Sequence, residues 1–208
     1  MSDDISSALA ATAQTDQDII SPRLHHAFLK TTRLQEMKNW YALTIGMKPH
    51  FEWDSGAFMG NDHANHRLVI FTSPAISDDP DKVQRAGLHH LAFEYDHCDD
   101  LVATYRRLQR HGIVPHAALD HGLTTSFYYL DPDGNSLELQ YDNFGDWEKS
   151  TEFIRTSPAF ADEPIGHPVD PEAFARAQEA GRSVDALHRD AYAGKFAPST
   201  PQDIRIPG

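Results

Sequence analysis

Leu24-His25-His26-Ala27-Phe28-Leu29 and, 64 residues further on, Leu88-His89-His90-Leu91-Ala92-Phe93 are the two strings on which the fold turns. Each is short, largely apolar and alternating, the pattern of a half-buried strand. The residues after each string are also alike. After the first, Thr31 or Thr32 can cap a helix from about Leu34 to Ile45, with Leu34, Met37, Trp40, Tyr41 and Ile45 at helical spacing and Gly46 as the stop. After the second, Asp99 or Asp100 can cap a helix to His111, with Leu101, Val102, Tyr105 and Leu108 as its stripe and Gly112 after it. Strand-like pieces then come at about 50–53 and 66–72, with Gly56 and Gly60 in the turns between. In the second half they come at about 114–119, 125–130 and 136–141, and Asp131-Pro132-Asp133-Gly134-Asn135 makes a hairpin turn between the last two. The shared order and the shared Leu-His-His predict an internal duplication. The expected fold is α+β: two tandem βαβββ modules, about 22–73 and 86–143, forming a cupped mixed sheet.

Residues 1–21 are polar and small and read as a mobile arm. From 144 to 208 the composition turns to Pro, Ala, Gly and charge. This C-terminal extension is expected to hold one helix, from Asp170-Pro171 to about Asp190, with Phe174, Val184 and Leu187 on its apolar face. It is expected to wrap the core or a neighbouring subunit.

Among 208 residues 40% are hydrophobic, enough for a real core, and the formal charge of −13 would repel a phosphate backbone, so nucleic acid is excluded as a partner. No apolar run approaches the roughly 20 residues that cross a bilayer. The acidic start lacks the basic and apolar segments of a signal peptide. The single cysteine, Cys98, allows no intramolecular disulfide and fits a reducing cytoplasm; beside Asp99 and Asp100 it reads as a loop residue at a helix cap.

Histidine is the outlier, with thirteen in the chain. Strand parity sorts those that fall in strands. Ala27 and Leu29 pair with His25, leaving His26 with Leu24 and Phe28. Leu91 and Phe93 pair with His89, turning His90 to the other face. In the last strand Leu137, Leu139 and Tyr141 oppose Ser136, Glu138 and Gln140, while His66 shares a face with Leu68 and Ile70. If each sheet packs one face on its helix and curls the other into a cup, His26, His90 and Glu138 point inward together. Two imidazoles and one carboxylate from three strands form the facial triad of non-haem iron oxygenases, which leaves open coordination positions for substrate and O2. His25 and His89 are then back-face neighbours, and the other histidines, His116 and His188 among them, belong mostly to the surface. Phe127, Phe144 and Trp147 can line a ring pocket, though core or tail packing is the commoner use.

These strings, with the segment from His121-Gly122-Leu123-Thr124 through Tyr128 and the Asp131–Asn135 turn to Glu138, resemble in order the vicinal oxygen chelate superfamily. Within it they are similar to a one-domain form of the type I extradiol catechol dioxygenases, over about residues 23–142. The resemblance implies that His26, His90 and Glu138 ligate the metal. It places the acid–base role on His66, within Asn65-His66-Arg67-Leu68-Val69-Ile70, and the substrate hydrogen bonds on His121 and on Tyr128 seven residues later. It implies Fe(II), with Mn(II) able to use the same donors. It also implies a catechol, a methylcatechol or a 2,3-dihydroxybiphenyl as substrate with O2, and a homo-oligomer. Two rivals stay open: a metal-dependent thiol transferase or lyase of the same superfamily, and a non-enzymatic small-molecule binder. His66 and His121 favour ring cleavage over thiol transfer, and bound iron separates it from the binder.

Overall fold

The computed structural model describes residues 20–207; the arm expected over residues 1–21 falls almost wholly outside them. The first half forms β1 (Ala27–Lys30), α1 (Leu34–Ile45), β2 (Lys48–Trp53), β3 (Gly56–Gly60) and β4 (Leu68–Phe71). The second forms β5 (His90–Tyr95), α2 (Cys98–Arg110), β6 (Ala117–Asp120), β7 (Thr124–Leu130) and β8 (Ser136–Asp142). The first sheet runs β1-β4-β3-β2 and the second runs β5-β8-β7-β6, with β9 (His167–Pro168) added beyond β6. In both halves the opening strand is parallel to the closing one and the remaining pairs are antiparallel. The duplication is therefore present in topology as well as in sequence. The expected cup is built as two mixed sheets, and β1 and β5 each lie at a sheet edge.

Gly56 and Gly60, expected in turns, are the two ends of β3. A Cβ on Gly56 would meet the Trp53 ring at 2.3 Å, and one on Gly60 would meet His50 at 2.8 Å. Glycine is required there by close approach of a neighbouring strand's side chain rather than by a turn. On α1, Met37, Tyr41 and Thr44 are buried; the cap is Arg33, whose N–H donates to Thr31 Oγ1 at 2.8 Å. Cys98 opens α2 rather than lying in a loop. Its side chain is buried, and burial pushes the thiol up to about 11, so it is no thiolate nucleophile.

The halves are joined through their helices and turns. Tyr41 Oη donates to Asp131 Oδ2 at 3.1 Å, Arg107 reaches the carbonyls of Leu43 and Thr44, and Arg33 pairs with Asp133. Met37, Tyr41 and Met47 thus share one buried cluster with Leu101, Leu108, Phe127 and Leu139.

The extension makes four helices where one was expected: α3 (Trp147–Thr156), α4 (Pro158–Asp162), α5 (Pro171–Glu179) and α6 (Val184–Tyr192). Asp146, Ser157 and Asp170 each cap a helix by accepting backbone N–H bonds. The expected Asp170–Asp190 helix breaks at Gly181, whose φ of +85° ends α5 in the left-handed region. Phe174 and Leu187 are fully buried, whereas Val184 is partly exposed, at 37%. α5 is tied to α2 by Arg106, which binds Glu172 and Glu179. Further on, Gln202 bridges Ala118 N and Val169 O, laying the chain end across the second sheet. Among the described residues no helix is long and apolar enough to cross a membrane.

Candidate metal and substrate site

β8 pairs with β5 so that Ala92 stands opposite Glu138, and with β7 so that Tyr128 does. Glu138 therefore faces away from the Leu137 and Leu139 side, which packs in the core. His90 Nε2 lies 2.9 Å from Glu138 Oε2. Tyr128 Oη donates to Glu138 Oε1 at 2.9 Å, and His121 Nε2 lies 2.8 Å from the same phenol oxygen. Four of the six expected residues thus form one network.

The network opens on a cavity of about 280 Å³ lined by His89, His90, Ala117, Leu119, His121, Tyr128, Ile165, Ile204 and Ile206. Ile165, Ile204 and Ile206 come from the extension, and the sequence alone suggested no role for them. The alternation Ile204-Arg205-Ile206 was the only local hint that one side of this segment faces apolar surroundings. Phe127, by contrast, is a fully buried core residue, and Trp147 is exposed, its indole N–H bonded to Glu94.

Hydrogen bonding dictates which nitrogen of His90 is free. Ile204 O, an acceptor only, lies 3.1 Å from His89 Nε2, which must donate to it. A His89 that donates through Nε2 can accept at Nδ1, 2.7 Å from His90 Nδ1. His90 Nε2 then faces the Glu138 carboxylate at 2.9 Å. A proton between the two holds them together, and a divalent cation can replace it. Imidazole and carboxylate donors suit Fe or Mn, so the pair fits such an ion.

Burial would raise the Glu138 carboxyl, but bonds with His90, Ser126 and Tyr128 hold it below its ordinary range. Burial, with the Glu138 charge behind it, pushes the Tyr128 phenol far upward, so it stays protonated. Burial pushes His121 down, against the opposing pull of Glu138.

His26 and His66 stand elsewhere in the chain. With His25 they form, among the described residues, the one group of three candidate donors whose ligand atoms all lie within 4.8 Å of one another. The His26 and His66 rings are 4.5 Å apart, and His66 also packs on Phe58 at 4.8 Å. Within one chain His26 does not join His90 and Glu138 in such a group: it immediately precedes β1, which belongs to the other sheet. His66 is also not on the face of Leu68 and Ile70, as parity predicted. β4 begins only at Leu68, and the ring turns to the opposite face, where Phe58 pairs with Val69. Burial, then the neighbouring His26 and His25, lowers its pKa. His25 and His89 flank their partners directly rather than lying behind them. His188, expected at the surface, is partly buried with Nδ1 2.9 Å from the fully buried Asp120 and ties α6 to β6.

Known proteins resemble this chain in sequence and in fold. The family model described as Glyoxalase/Bleomycin resistance protein/Dioxygenase superfamily matches residues 23–139. Biphenyl-2,3-diol 1,2-dioxygenase 2 of Rhodococcus globerulus is 34% identical over 88% of this chain and 96% of its own length. Biphenyl-2,3-diol 1,2-dioxygenase 3 of the same organism is 36% identical over 85% and 92%. A glyoxylase/bleomycin resistance protein/dioxygenase domain from Frankia sp. EAN1pec superposes at a TM-score of 0.50 with 20% identity, over 59% of this chain and 93% of that one, a likeness of fold.

Proposed function

Because the chain belongs to the Glyoxalase/Bleomycin resistance protein/Dioxygenase superfamily, we propose that it is an extradiol dioxygenase that opens a catecholic ring with O2. The observation that carries this reading is the His90–Glu138 pair, with Tyr128 and His121 bonded around it, at the end of an apolar cavity. We assign the metal to His26, His90 and Glu138, and take Fe(II) as the ion, with Mn(II) the alternative. When bound, such an ion acidifies the catechol hydroxyls and provides a path for electrons from the ring to O2.

The side chains supply binding and proton transfer. Tyr128 Oη, fixed between Glu138 Oε1 and His121 Nε2, is the hydrogen-bonding group for a catechol oxygen. His121, its pKa lowered by burial, holds the Tyr128 phenol through Nε2 and, when the catechol's arrival shifts the Tyr128 hydrogen to the substrate side, is the group we assign to share the released proton. His66, beside His26, is the group assigned to hold and return a proton on the oxygen side. Leu119, Ile165, Ile204 and Ile206 exclude water and receive an apolar ring substituent. An apolar cavity of about 150 Å³ already admits a benzene ring; one of about 280 Å³ has room for a catechol with a substituent. The two Rhodococcus relatives make a 2,3-dihydroxybiphenyl-type diol the first substrate to try.

The test is oxygen uptake after anaerobic loading with Fe(II), using 2,3-dihydroxybiphenyl and 3-methylcatechol, with His90→Ala as control. One O2 consumed per diol and a yellow ring-opened product, both absent from the variant, is the expected result. A tightly metal-loaded protein that consumes no O2 with either diol would overturn the reading in favour of a thiol transferase or lyase.

A further inference from the structure

Asp120 is the last residue of β6, directly precedes His121 and is fully buried. A carboxylate placed out of reach of bulk water needs both oxygens bonded within the protein. Its Oδ1 accepts from Gly122 N at 2.8 Å and lies 3.4 Å from Asn143 Nδ2. Its Oδ2 lies 3.3 Å from Thr125 Oγ1, whose single hydrogen has a nearer acceptor in Asn143 Oδ1 at 2.8 Å. Oδ2 is therefore left to His188, whose Nδ1 stands 2.9 Å away and is the donor that suits it. His188 lies on α6 in the C-terminal extension, 68 residues further along the chain.

The group held by these bonds is a tight turn. From Asp120 the chain reverses through Gly122, at φ +86°, and returns as β7 at Thr124, with His121 N donating to Thr124 O at 2.9 Å. Asp120 Oδ1 on Gly122 N, and Asn143 Nδ2 on Gly122 O at 3.2 Å, close the turn from inside. His121 projects from it to Tyr128 Oη at 2.8 Å. The extension touches the same residue twice more. The His121 ring is hydrogen-bonded to the Ile165 backbone, and a Cβ on Gly166 would stand 2.7 Å from His121 Cα. On the outside of the turn, a Cβ on Gly122 would meet the Phe153 ring at 2.6 Å and Tyr192 at 3.2 Å.

Joining α6 to β6 does not by itself call for such a network. Leu187 and Ala191 on the same helix are fully buried and already supply apolar contact. A carboxylate, a hydroxyl, an amide and an imidazole are gathered instead at the one place where the chain turns into His121. A satisfied polar network fixes directions that apolar packing leaves looser. Direction is what proton transfer by His121 depends on.

We propose that His188 is a positioning residue for ring opening: its bond to Asp120 fixes the 120–123 turn, and so the direction in which His121 meets the Tyr128 phenol and the bound diol. His188 does not line the cavity and acts through Asp120 alone. The kinetic consequence rests on the dioxygenase reading; the hold on His121 does not.

The test compares three variants of the full chain. His188→Phe keeps a ring against Phe144 and Tyr192 and removes the donor. His188→Gln places its amide where Nε2 stands, away from Asp120, and serves where His188→Phe does not fold. His188→Asn places an amide N–H where Nδ1 stands and restores the bond. The first readout needs no turnover. Amide hydrogen exchange at His121 and Gly122 should quicken at least about 10-fold in the first two variants, with Leu101 and Leu139 in the core within about 3-fold of wild type. His188→Asn should return the turn to the wild-type rate. The second readout is kinetic, with Fe(II) and 2,3-dihydroxybiphenyl. In the first two variants kcat should fall about 10-fold or more, while KM and affinity for Co(II), a spectroscopic probe of the metal site, stay within about 3-fold. His188→Asn should recover kcat. Unchanged exchange in the first two variants, or a His188→Asn protein as impaired as they are, overturns the proposal. So does a loosened turn with kcat unchanged, which would leave His188 as a helix tie alone. A wild-type protein that consumes no O2 would remove the dioxygenase reading, and the exchange comparison would still decide whether His188 holds His121.

Discussion

The two halves start from the same three residues and finish unequal. In the first, His25 and His26 stand at an exposed edge, His66 is their nearest functional neighbour, and the position opposite Phe28 is the apolar Val69. In the second, His89 is anchored to Ile204 O, His90 faces a buried carboxylate, and Tyr128 and His121 complete the network under a wall from the extension. Duplication supplied two copies of one scaffold. Glu in one closing strand and Val in the other leaves the second half an imidazole beside a carboxylate, and the first half three imidazoles with no carboxylate among them.

The sharpest way to break that contrast is Glu138→Gln, which keeps the shape and removes the charge. Metal affinity should fall by more than about 100-fold, read by equilibrium dialysis. Affinity within 3-fold of wild type would mean that the carboxylate is not a ligand. Next is Tyr41→Phe, which loosens the join between the halves: Asp131 loses one donor of several. A loss of about 1–2 kcal/mol in urea unfolding is expected, with the cavity network intact by Co(II) spectrum; no loss would show that the helices alone hold the halves together. Ile204→Ala trims only the wall over the second half. It should raise KM for 2,3-dihydroxybiphenyl by about 10-fold and leave that for catechol nearly unchanged; an equal effect on both would remove the wall from substrate selection. The smallest effect concerns the clamp between extension and second module. Bonds from Arg106 and Arg176 lower Glu172 to about 2. A folded-state pKa below the unfolded one means that the clamp stabilises above the ordinary glutamate range and is lost as pH falls from about 4.5 towards 2. Its solvent contact limits the contribution to about 1 kcal/mol or less. Glu172→Gln should therefore cost most at pH 7 and progressively less as pH falls from about 4.5 towards 2, by thermal melts; an equal cost throughout would refute the charge argument.

Much of this was legible in the sequence. The helices of both modules, the Asp131–Asn135 turn and the inward parity of His90 and Glu138 follow from local alternation and spacing, because each depends on neighbours close in the chain. β3 was not legible: it is five residues long and bounded by two glycines that look like turn residues until Trp53 and His50 are seen above them. His66 escaped parity because the strand starts two residues after it. The separation of His26 from His90 was invisible for a different reason. Which way two modules pack is set by contacts such as Tyr41–Asp131, ninety residues apart, and no period in the sequence records them. The extension broke into short capped helices because its apolar residues are too sparse to mark one long face.

Ile204 O has a consequence for how the protein ages. That carbonyl fixes His89 Nε2 as a donor and so turns His89 Nδ1 towards His90. Cleavage before Ile204 would break this contact and free the His89–His90 pair to exchange tautomers. Exchange is fast compared with ligand capture, so cut protein should bind metal with one affinity, weaker than that of intact protein. A preparation with lost activity and full secondary structure would then trace to loss of the Ile204 contact.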